Sequence, residues 1–85
     1  MVKSKKDIQF SPIQCKMARA GLGLGIRDLG ELAECAPATI VRFEAGENLH
    51  HRSVRAIYDA LVEAGAEFMV TKGGKDGVAV KSKDG

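Results

Sequence analysis

Four arginines, Arg27, Arg42, Arg52 and Arg55, and one threonine, Thr39, carry the hydrogen-bonding groups best suited to recognition in this sequence. A guanidinium is a rigid fork of donors that matches a phosphate or the acceptor edge of guanine, two bonds at a time. Other chemistry finds little support. Cys15 and Cys35 lie within apolar patterns without the paired spacing of a zinc site, and both read as small buried hydrophobes. His50 and His51 are adjacent with no cysteine or carboxylate at ligand spacing, so no metal is expected and they belong to a solvated helix start. The GLGLG run at 21–25 lacks the lysine and preceding strand of a phosphate loop. No carboxylate pair and no nucleophile beside a base stands at credible spacing, so neither catalysis nor a cofactor is expected.

With 85 residues, 45% hydrophobic and 28% charged, the chain is a single small globular domain whose thin core a partner subunit would supplement. No apolar run approaches the roughly 18 to 20 residues of a membrane span, and the lysine-bearing start has no apolar stretch after it. A cytoplasmic location without a membrane role is the expectation. The net charge of +2 is unevenly placed. Between Ile13 and Gly65 six bases face seven acids, whereas the flanks hold seven lysines against four acids. Bulk basicity therefore argues weakly for nucleic acid.

Periodicity sets the elements that must carry these groups. Residues 1–11 predict a flexible basic arm, with Ser11 as N-cap and Pro12 in a first helical turn. Ile13, Cys15, Ala18, Leu22 and Leu24 mark the buried side of a first helix ended by the glycines. A second helix runs from about Ile26 to Glu34, with Leu29, Leu32 and Ala33 inward, and a third from Pro37 to Gly46, with Ile40 and Phe43 inward. Two short helices joined by so few residues must cross steeply, as in a helix-turn-helix. Pro37, Ala38, Val41 and Arg42 fall outward. A fourth helix spans about 51–64 on Val54, Ile57, Leu61 and Ala64. The period then changes to two, predicting a β-hairpin of 67–72 and 77–82 within the segment 66–82 and a disordered tail at 83–85. A lone hairpin is barely stable, so this one must pack on the helices or on a second copy; a dimer contact is favoured. The class is mainly α, four to five helices over 12–65 followed by the hairpin.

From Ile13 to Gly65 the chain resembles the XRE family of Cro/repressor-type helix-turn-helix proteins. The resemblance rests on RDLGELAECAPATIVRFEAGE, where Leu29 and Gly30 precede the turn and Thr39, Ile40, Arg42, Glu44 and Gly46 follow it, and on QCKMAR in the first helix. It implies that Gly30 lets the two helices approach, that Ile40 plugs the gap between them, and that Arg19 and Glu44 form an ion pair tying the first helix to the third. Four positions depart from the family pattern. Gly25 and Ile26 stand where Ser-Gln is common, Glu34 takes the place of a turn glycine, and Ala36 that of a capping serine.

Two functions follow as expectations. The first is a small sequence-specific DNA-binding regulator, most simply a repressor, acting as a homodimer on double-stranded DNA. Helix 37–46 would enter the major groove with Arg42 as chief base reader, Thr39 and Ala38 beside it, and Pro37 and Val41 against thymine methyls. Arg27, Arg52, Arg55 and His50 would hold phosphates, with the lysine arm adding salt-sensitive affinity. The second is the same scaffold reused to bind another regulatory protein, as an antiactivator or antitoxin, through an apolar patch of Ile26, Pro37, Ala38 and Val41.

Overall fold

The computed structural model describes residues 10–70 and 72–80. Their order is α1 (Pro12–Leu22), α2 (Ile26–Ala33), α3 (Pro37–Glu44), α4 (His51–Glu63), β1 (Ala66–Val70) and β2 (Asp76–Val80). Four helices and a two-stranded antiparallel hairpin agree with the mainly α expectation. Residues 1–9 of the predicted arm, Thr71, the last two residues of the predicted second strand (81–82) and the tail at 83–85 lie outside the described residues.

Local chemistry sets the helix ends. Ser11 Oγ accepts the Gln14 amide at 3.2 Å while Gln14 Oε1 accepts the Ser11 amide at 3.0 Å, a reciprocal capping box that starts α1 ahead of Pro12. Gly23 ends the helix in the left-handed region at φ 72°, with Leu24 N–H closing back on Arg19 O at 2.8 Å. His50 Nδ1 accepts the Arg52 amide at 3.1 Å and caps α4, with His51 exposed beside it, as expected for a solvated helix start.

Leu29, Ile40, Ile57 and Leu61, all fully buried, form the centre with Cys15, Ala18 and Phe43. Two inward assignments fail. Ile13 is 60% exposed because Gln14, Cys15 and Ala18 take the inward positions of α1. Leu32 is 53% exposed because α2 buries Leu29, Gly30 and Ala33, leaving Leu32 on the rim of a shallow cleft with Leu22, Leu24 and Ala64. Cys35, expected in the core, is half-buried at its edge.

The hairpin pairs Ala66 with Val80, Phe68 with Val78 and Val70 with Asp76. Lys72, predicted as strand, lies in the turn. The inner face of the hairpin packs on the helices of its own chain. Gln14, 1% exposed on α1, donates through Nε2 to Met69 O and Gly77 O, both at 3.1 Å, and so bonds both strands. Ser11 Oγ donates to Asp76 Oδ2 at 2.6 Å, and the Val80 methyls lie where a side chain on Gly21 would begin. Phe10, assigned by sequence to the arm, belongs to the domain. Its ring lies 4.9 Å from Phe68, 5.2 Å from Phe43 and 5.5 Å from Tyr58, joining α3, α4 and β1.

Candidate nucleic-acid interface

The outer surface of α3 depends on how tightly α2 holds its inner one. A Cβ on Gly30 would stand 2.9 Å from Cys35 O and 3.5 Å from Pro37 N, so a hydrogen at this position is what allows the two helices their approach. Three residues, Glu34, Cys35 and Ala36, make the connection. Glu34 adopts φ 58° and ψ 44°, a left-handed conformation that costs a side-chain-bearing residue about 1–2 kcal/mol. Cys35 N–H returns to Gly30 O at 2.9 Å, closing the end of α2. Beyond it Ala36 is extended and offers no side-chain cap to α3. At the other end of α2, Gly25 N–H donates to Asp28 Oδ2 at 2.8 Å.

Ile40 is fully buried and Phe43 nearly so, which fixes the rotation of α3. A second restraint comes from α1. Arg19 Nε and Nη2 each meet a different carboxylate oxygen of Glu44 at 2.9 Å, and Arg19 Nη1 reaches Leu24 O at 3.3 Å. The ion pair implied by the family resemblance is thus present as a two-bond fork. Cys15 Sγ adds a third bond to Glu44 Oε2 at 3.2 Å. Burial pushes the Glu44 carboxyl up, but the bonds from Arg19 and Cys15 outweigh it and hold it below the usual carboxylate range. The Cys15 thiol is pushed far up, by burial first and then by Glu44, so it stays protonated and donates. Burial also raises Cys35. Neither cysteine is set up as a nucleophile, and no cluster of metal ligands occurs among the described residues.

Pro37, Ala38, Val41 and Arg42 all face solvent on α3, as expected, while Thr39 is half-buried. The Arg42 side chain is 56% exposed, and its Nε donates to Glu47 Oε1 at 3.1 Å. This is the contact the spacing did not reveal. Glu47 takes one edge of the guanidinium and leaves the Nη1/Nη2 pair without a partner among the described residues.

The four groups assigned to phosphate differ in readiness. Arg27 and Arg52 are exposed. Arg55 is half-buried and held by Asp59 at 3.2 Å. His50 spends Nδ1 on its helix cap, so only Nε2 is left to meet a ligand. Arg52, Arg55, His50 and His51 share one shallow concavity at the start of α4. A second, between α2 and the turn, sets Arg27 against Glu31 and Glu34, so the charge there is mixed. Of the apolar patch, Pro37, Ala38 and Val41 are exposed, but Ile26 is half-buried against the core and contributes little surface.

Gln14 and Phe10 escaped sequence reasoning. The Ser-x-x-Gln spacing of the capping box was a visible signal for the first; nothing local marked the second. No helix among the described residues is long and apolar enough to cross a membrane. Compared with known proteins, the chain matches no family model and no curated protein.

Proposed function

We propose that this chain is a small sequence-specific DNA-binding regulator of the helix-turn-helix type, resembling the XRE family, that acts as a homodimeric repressor in the cytoplasm. The observation that carries the reading is Arg42. It stands exposed on a helix locked from behind by Ile40, Phe43 and the Arg19–Glu44 fork, with Nη1 and Nη2 open. That open pair matches guanine O6 and N7. Two copies of α3 would enter successive major grooves about 34 Å apart. Arg27 and Arg52 are the phosphate contacts, and Arg55 lies beside Arg52 at the start of α4.

An anisotropy titration against duplex from the chain's own upstream region tests it. Arg42→Ala costs about 1–3 kcal/mol on the cognate duplex and little on a random one. Equal affinity and equal selectivity for variant and wild type remove the assignment.

A second reading has its own observation. Val41 is 53% exposed beside Pro37 and Ala38, an apolar strip where charged DNA would dock, and such strips mark protein interfaces. An antiactivator that masks another regulator would use it. Salt separates the two: binding to random duplex that is present at low salt and falls steeply favours DNA, and no binding at either salt favours a protein partner.

A further inference from the structure

The turn after α3 ties Glu47 to Arg42 twice, once through the backbone and once through the side chains. Gly46 N–H donates to Phe43 O at 2.9 Å and Glu47 N–H donates to Arg42 O at 3.1 Å, with Gly46 in the left-handed region at φ 92°. This is the Schellman ending of a helix, in which the residue after the left-handed one bonds back to the carbonyl of the last full turn. The same two positions commonly meet side chain to side chain through an apolar contact. Here both are charged, and Arg42 Nε donates to Glu47 Oε1 at 3.1 Å. The helix ending therefore sets the partner of the guanidinium.

That arrangement decides which edge of Arg42 can meet DNA. A guanidinium presents two forks, one of Nε with a neighbouring Nη and one of both Nη groups, and either fits a phosphate or the O6 and N7 of guanine. Glu47 occupies Nε and so closes the first fork. The second has no partner among the described residues. A phosphate approaching the Nε edge also meets the Glu47 carboxylate, a like charge, so the pair disfavours backbone contacts while it aims the free fork. Both side chains are more than half exposed, and water screens the pair. Its coupling then corresponds to a factor of about two to five.

We propose that Glu47 is a positioning residue for base recognition: by holding Nε it presents Arg42 end-on to a guanine and withholds it from phosphates. This role rests on Arg42 being the base reader of the functional reading, and it names the residue that makes that reader selective. Glu47 acts through Arg42 and needs no base contact of its own.

Selection from a random duplex pool, followed by anisotropy on the enriched sequence, tests it without knowledge of the natural site. The enriched sequence holds a guanine that Arg42→Ala no longer distinguishes from other bases. Glu47→Gln lowers the preference for that same guanine about two- to fivefold and leaves the other selected positions unchanged. It also tightens binding to random duplex with a steeper salt dependence, as a guanidinium freed for phosphates must. That gain is smaller when Arg42 is already alanine. Without DNA, the Arg42 Nε–H exchanges with water about two- to fivefold faster in Glu47→Gln than in the wild type, read from its proton–nitrogen cross-peak. The helical circular dichroism of the variant is that of the wild type, since the replaced side chain is on the surface.

Unchanged guanine preference in Glu47→Gln overturns the proposal, as does a loss spread evenly over every selected position. Unchanged Nε–H exchange does the same. An equal gain on random duplex with and without Arg42 also overturns it, because the carboxylate would then repel DNA by itself. A wild type that binds no duplex removes the functional reading and this role together; a selected guanine that depends on Arg42 but not on Glu47 removes this role alone.

Discussion

Replacing Glu44 with alanine strikes the point where α1 and α3 are tied. The carboxylate is 6% exposed and accepts two charge-assisted bonds from Arg19 and one from the Cys15 thiol. Stranding a fully buried charge costs about 3–5 kcal/mol. Arg19 is 22% exposed and keeps Leu24 O, so water can reach the abandoned guanidinium and the loss falls to about 2–3 kcal/mol. For a domain of this size the midpoint of thermal unfolding then drops by about 10–20 °C, at roughly 4–8 °C per kcal/mol. The paired replacement Arg19→Met with Glu44→Leu removes both charges and recovers most of that loss, because well-packed apolar groups substitute for a buried pair at little net cost. The sign with pH follows from the depressed folded-state carboxyl. Its contribution is fully present above the unfolded value, about 4.3, and is lost as pH falls through the lower folded value. Melting followed by circular dichroism at pH 7 and pH 3 checks all of this. A Glu44→Ala midpoint within about 2 °C of wild type at pH 7, or a double variant no better than the single, refutes the reasoning.

Three further outcomes concern the α2–α3 turn and the hairpin. Gly30→Ala drives a methyl into Cys35 O and lowers stability by about 1–3 kcal/mol in denaturant titration, and a neutral result shows the turn can yield. Glu34→Gly relieves the left-handed residue and gains about 0.5–1 kcal/mol net of the glycine's extra unfolded-state freedom; a loss means the Glu34 side chain holds something of its own. Gln14→Ala opens the α1–hairpin joint at a cost of about 1–3 kcal/mol, read as faster exchange of the Met69 and Gly77 amides than of the core of α4. Uniform acceleration across the domain would mean the joint has no local character.

The helices were legible because each has a chemical start and stop: Ser11 before Pro12, Pro37 at the head of α3, Gly46 and Gly65 after α3 and α4, with boundaries off by one or two residues. The close approach at Gly30 and the outward Arg42 were legible from position within the motif. Periodicity misled at Ile13 and Leu32, where an apolar residue beside the buried stripe was counted as part of it. On α1 the inward place next to Ile13 went to a polar residue, Gln14, because its amide is satisfied by the hairpin backbone. That partner lies more than fifty residues along the chain, beyond any local pattern. Phe10 was lost to the arm for the same reason, since its ring contacts come from α3, α4 and β1. Glu47 against Arg42 needed the turn after α3 to be known first.

The sequence holds no tryptophan and one tyrosine, and Tyr58 stands within 5.5 Å of Phe10 and 5.3 Å of Phe68, themselves linked to Phe43. Excited at the tyrosine band, the protein thus emits from a single site at which the segment before α1, the face of α4 and the first strand converge. Its near-ultraviolet signal is an unlabelled gauge of whether those pieces are docked, and through Phe43 stacked on Phe10 it answers to a loosened α3 as well as to a loosened hairpin.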